Sequence, residues 1–156
     1  MELYLLRHGE AELRSPSKKD EDRALTAKGK RDVERVANRA RKGKIKPDVI
    51  LTSPLRRAKE TAEIAAEVLG LKKILETKSL SPEASPQVLW KELATLEHAE
   101  EVILTGHEPN MSHLAQYLLA TKVPLDFKKG AMMRISIPRE ATPKGTLKWL
   151  ITPKLT

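Results

Sequence analysis

Three short apolar runs stand out along a mixed chain: LYLL at 3–6, VIL at 49–51 and VIL at 102–104. Each is continuous rather than alternating, rich in leucine and β-branched residues, and bounded by polar turns. That pattern predicts strands buried on both faces, hence a parallel sheet. Helical stripes lie between and after them. Val33, Val36, Ala37 and Ala40 repeat at i, i+3, i+4, i+7, and Leu55, Ala58, Ala62, Ala65 and Leu69 form a second stripe. Leu89, Leu93 and Leu96 form a third, and Met111, Leu114, Ala115 and Leu118 a fourth.

Local signals mark the ends of these helices. Ser53-Pro54 and Ser85-Pro86 each read as an N-cap followed by a first-turn proline. Thr26 and Asn110 are the expected caps of the other two helices, and Gly70 the expected stop of the second. A further strand is expected at 72–76. MMRISI at 132–137 and TLKWLI at 146–151 read as an antiparallel hairpin around the turn PREATPKG. Residues 10–25 form a polar loop too long for a simple connector, placed to cover a site. Strands alternating with helices give an α/β three-layer sandwich: a mostly parallel sheet, helices on both faces, and an antiparallel C-terminal strand pair. A single domain over residues 1–156 is expected.

Composition narrows the function classes. No apolar run approaches the ~18 residues of a membrane span, and no basic region plus apolar core opens the chain, so neither a membrane nor an export signal is expected. There are no cysteines, which removes disulfides and thiolate chemistry and fits a cytoplasmic protein. The net charge of +8 suits an anionic partner or a phosphorylated substrate. With two tryptophans, two tyrosines and one phenylalanine there is no base-stacking platform, so a nucleic-acid partner is not expected. Much of the excess charge lies between Lys28 and Lys46, where Arg31, Arg35 and Arg39 recur every four residues with Asp32 and Glu34 interleaved. A solvated helix face is the expected reading, docking of an acidic partner the other.

The residues just beyond the three runs carry the chemistry. After the first comes Arg7-His8-Gly9, after the second Thr52-Ser53-Pro54-Leu55-Arg56-Arg57, and after the third Thr105-Gly106-His107-Glu108-Pro109. Ligands of open α/β sheets bind outside the carboxyl ends of the strands. One parallel sheet would therefore gather two histidines and at least two arginines at one edge. Arginine offers a planar, permanently charged fork that matches phosphate. Neutral imidazole is a nucleophile near pH 7, and a helix N-terminus presents free N–H groups to anions. The set suits phosphoryl transfer to a histidine, with the cations neutralising the equatorial oxygens. A polar turn after a core strand is the plainer account of Arg7-His8-Gly9 taken alone. Only one of Arg56 and Arg57 need face inward, because helix neighbours point about 100° apart. A metal is not expected: His107 and His113 do not share a helical face, and Arg7 would repel a cation beside His8.

These motifs resemble the histidine phosphatase superfamily, which includes the phosphoglycerate mutases. LRHGEAE is similar to its RHG signature, TSPLRRAKETAE to its second motif and TGHEP to its third, while DEDRALTAKGKRDVERVA resembles the segment that opens the first helix. The resemblance spans about residues 1–120 and implies a phosphoglycerate mutase-like fold and a metal-independent phosphatase without cofactor. It implies that His8 is the nucleophile, forming a phosphohistidine intermediate. It also places Arg7, Arg57 and His107 around the phosphate, with Ser53 and Gly9 beside them. Arg57 is chosen over Arg56 by the family's serine-to-arginine spacing. Only about fifty residues separate Arg57 from His107, which resembles the SixA-type branch of phosphohistidine phosphatases. That branch implies a phosphohistidine-bearing signalling protein as partner. Glu83, in LSPEAS, is the candidate general acid, with Glu10 or Glu108 as substitutes. The alternatives are a small-molecule phosphomonoesterase or mutase-like enzyme, or a non-catalytic anion-binding module.

Overall fold

The computed structural model describes residues 1–139 and 142–156. The chain runs β1 (Glu2–Arg7), α1 (Ala27–Lys42), β2 (Val49–Thr52), α2 (Arg56–Leu69), β3 (Ile74–Glu76), α3 (Pro86–Leu93), β4 (Glu101–Gly106), α4 (Asn110–Leu118), β5 (Met132–Ser136) and β6 (Thr146–Ile151). The strands form one six-stranded sheet in the order β3-β2-β4-β1-β5-β6. β3, β2, β4 and β1 are mutually parallel, whereas β5 runs antiparallel to β1 and β6 antiparallel to β5. The expected hairpin is therefore present. Its turn, PREATPKG, runs through Glu140 and Ala141, which lie outside the described residues.

Alternation along each strand divides the core in two, because successive side chains point to opposite faces. Leu3, Leu5, Leu51, Val102 and Leu104 pack with Leu89 and Leu93 of α3 and Met111, Leu114 and Leu118 of α4. Tyr4, Leu6, Ile50 and Ile103 pack with Val36 and Ala37 of α1 and Ala62 and Ala65 of α2. Both faces are thus covered by helices, and Leu3 to Leu6 are fully buried. This is why the central strands read as unbroken apolar runs.

Several ends differ from the sequence expectation. Thr26 caps α1 through Gly29 N, and Gly70 ends α2 at φ +69°. Ser53 does not cap α2. That helix starts at Arg56 behind Leu55, because Ser53 still belongs to the sheet ladder, its N–H donating to Thr105 O. Asn110 is the first helical residue of α4 rather than its cap. The free N–H groups there are served by Glu108, whose carboxylate accepts from Ser112 N and Oγ. Ser85 precedes Pro86 as expected, with no hydrogen bond from its side chain to the helix. Leu96 lies beyond the end of α3 and packs on the core from the following turn. The strand expected at 72–76 is confined to Ile74–Glu76.

Candidate active site

The sheet register brings the three polar strand ends together. Arg7 of β1 pairs with Gly106 of β4, and Thr52 of β2 pairs with Thr105 of the same strand. The ladder continues one residue further on each side, with His8 N donating to Gly106 O and Ser53 N to Thr105 O. His8, Ser53 and His107 therefore leave three adjacent strands at one level.

His8 is 8% exposed, and its Nδ1 lies 2.7 Å from Gly9 O. A carbonyl can only accept, so Nδ1 carries the proton and Nε2 keeps its lone pair. His107 is 2% exposed, its ring centred 5.1 Å from that of His8. Its Nε2 lies 2.8 Å from Ser53 Oγ. Burial pushes the His8 pKa down to about 4, and the neighbouring Arg57, Arg7 and Lys129 push the same way against the Gly9 carbonyl. Burial, then His8 and Arg57, push His107 down to about 3. Both rings are consequently neutral at pH 7 in the free protein.

The arginines are held by backbone oxygens. Arg7 Nη1 donates to Phe127 O at 2.7 Å, and Arg57 Nη1 to Asp20 O at 2.9 Å. Arg57 Nη2 also reaches Asp20 Oδ2 at 3.2 Å. Arg57 is 5% exposed, whereas Arg56 is exposed and pairs with Glu60 one turn along. Among the described residues, every buried side-chain nitrogen or oxygen without a hydrogen-bond partner lies on Arg7, Arg57, Thr105 or His107. Such atoms are costly to bury unpaired. Their concentration beside two neutral imidazoles marks a place arranged for a polar, anionic guest.

The remaining candidates fall differently. Gly9 lies where the strand end crosses α1: a Cβ there would sit 2.7 Å from Gly29 O. Its N–H donates to Thr61 Oγ1, which in turn donates to Arg57 O. Glu83 is exposed in the turn before α3, and no hydrogen bond or ion pair among the described residues ties it to the cluster. Asp20 was not a candidate from sequence. It sits in a 3₁₀ turn of the 10–25 loop, and its carboxylate is held low by Arg23 and Arg57. The advance signals were the loop's length and its place at the head of the DEDRAL stretch that resembles the family segment. Thr61 and Thr105 lie within the second and third motifs, but a threonine there reads as ordinary core and neither was assigned a role.

The chain is similar to several known proteins. Residues 3–81 match the model of the histidine phosphatase superfamily (branch 1). The chain is 39% identical over 123 residues to an uncharacterised protein of Picosynechococcus sp. (strain PCC 7002), covering 74% of this chain and 72% of that one. It is 26% identical over 159 residues to the phosphohistidine phosphatase SixA of Escherichia coli K12, covering 98% and 94%. Its fold superposes on a structure of the protein histidine phosphatase SixA complexed with tungstate, with a TM-score of 0.89, 25% identity and coverage of 99% and 98%.

Proposed function

Because this chain belongs to the histidine phosphatase superfamily, branch 1, and is a SixA-like phosphatase, we propose that it removes the phosphoryl group from phosphohistidine on a protein, with His8 as nucleophile. The observation that carries the reading is the tautomer of His8. A buried, neutral ring whose Nδ1–H is spent on Gly9 O has its one lone pair on Nε2.

In the first step Nε2 of His8 attacks phosphorus. The new N–P bond forms as the bond to the substrate imidazole breaks, and the bonding pair leaves with that ring. Arg7, Arg57 and His107 surround the transferred group and stabilise charge on its equatorial oxygens. In the second step water attacks phosphorus, the His8 N–P bond breaks, its pair returns to Nε2, and the water proton passes to the departing phosphate. Ser53 hydrogen-bonds His107 and fixes its ring plane.

The leaving group supports the phosphohistidine assignment. A substrate imidazole protonated on its second nitrogen departs neutral and needs no donor. An alkoxide would need one; Glu83 is exposed and, among the described residues, not tied to the cluster, while the carboxylates of Glu10 and Glu108 already accept from Thr26 and Ser112. The similarity to SixA over nearly the whole of both chains points the same way. The test is a denaturing quench during turnover of free phosphohistidine. Acid-labile, base-stable phosphate should appear on His8, and His8→Ala should lose both label and turnover. Full activity in His8→Ala would refute the reading.

A further inference from the structure

Beside this site lies a cleft of about 800 Å³ between the start of α1, the 126–130 loop and the C-terminal turn. It is lined by Lys28, Arg35, Lys128, Lys129 and Lys154, with Asp32 the one carboxylate among the described lining residues. Asp32 engages Lys28 at 2.7 Å and Arg35 at 3.7 Å, and Lys128 pairs with Asp126 at 2.8 Å. Lys129 and Lys154 are exposed, and no ion pair among the described residues involves either.

The cleft is joined rigidly to the site. Gly130 N donates to both Arg7 O and His8 O, Arg7 N donates to Ala131 O, and Arg7 Nη1 donates to Phe127 O. Gly130 adopts φ +72°, and a Cβ on it would meet Pro153 Cγ at 3.3 Å and Asp32 Cβ at 3.8 Å. The loop, α1 and the C-terminal turn therefore converge on the strand that ends in His8. The positive field of Lys129 reaches the His8 ring itself.

From this placement we propose that the cleft docks an acidic surface of the phosphohistidine-bearing protein, carboxylates flanking the phosphohistidine meeting Lys128, Lys129 and Lys154 while the phosphoryl group reaches His8. The inference rests on the phosphohistidine reading and adds to it what the partner looks like. A phosphate alone is far smaller than the cleft. No aromatic ring lines it, so it offers nothing for bases to stack on. Spread, exposed lysines suit a polypeptide carrying several carboxylates, which they would steer and orient.

The experiment compares three substrates: free phosphohistidine, a phosphohistidine peptide flanked by Asp and Glu, and the same peptide flanked by Ser and Asn. The enzyme should prefer the acidic peptide about tenfold in kcat/KM. That preference should fade as ionic strength rises from about 0.01 M to about 1 M and the screening length falls from about 30 Å to about 3 Å. K128E/K154E should erase the preference through KM and leave free phosphohistidine turnover unchanged, which also shows that the variant folds. Equal kcat/KM for the two peptides, or a preference that survives K128E/K154E, overturns the docking while the site reading stands. No turnover of any of the three substrates overturns the site reading and the docking with it. Single-stranded DNA that displaces the acidic peptide at equal charge assigns the cleft to nucleic acid and overturns the proposal.

Discussion

At the scale of single residues, the site depends on two histidines that resist protonation. An unperturbed histidine titrates near pH 6.5, whereas burial brings His8 to about 4 and His107 to about 3. Above pH about 6.5 the rings are neutral folded and unfolded, so their contribution to stability is complete there. As pH falls from there, the unfolded chain takes up protons that the folded chain refuses, and stability is lost progressively toward the folded values. Asp20 and Glu2, also held low, act only below the ordinary carboxylate range. The window from about pH 6.5 to about 4.5 thus belongs to the histidines. Thermal midpoints across it should fall more steeply in the wild type than in His107→Gln. Equal slopes would mean that His107 is not held neutral. Sequence showed which histidines come after buried strands but could not show their titration, because the shift comes from burial and from charges brought by other elements.

At the scale of elements, the turn after β1 is held by two glycines facing each other. A Cβ on Gly29 would collide with Glu10 O, and one on Gly9 would lie 2.7 Å from Gly29 O. Neither neighbour can rotate away, since both are backbone. Gly29→Ala should therefore destabilise the fold by about 1–3 kcal/mol despite alanine's better helix propensity. A urea titration checks this: the midpoint should drop with the m-value unchanged, and a neutral or stabilising result would show that the turn gives way. Sequence disclosed the strands and helical stripes well, because burial on both faces leaves an unbroken apolar run. The start of α2 was legible only in part. Ser53-Pro54 has the composition of a cap, yet the β2–β4 register keeps Ser53 in the ladder and turns its hydroxyl to His107. That choice is made by a partner strand some fifty residues away, which no local pattern records.

At the scale of the whole molecule, the cluster belongs to no one element. His8 comes from the end of β1, Arg57 from the first turn of α2 and His107 from the end of β4. Arg57 is further clasped by Asp20 of the 10–25 loop. A tetrahedral oxyanion bound among them would bridge separate parts of the sheet and the loop, so binding should be felt as global stability. Tungstate is a suitable probe, as a related SixA structure contains it. Saturation to about a hundred times Kd contributes about 2.7 kcal/mol, or roughly 5–10 °C in midpoint for a domain of this size. Arg57→Ala should lose most of that shift, and Arg56→Ala should keep it, because Arg56 points to solvent against Glu60. The comparison is sharp because the two residues are adjacent, chemically identical and on the same helix. A shift lost in Arg56→Ala and kept in Arg57→Ala would place the anion outside the buried cluster and detach it from His8.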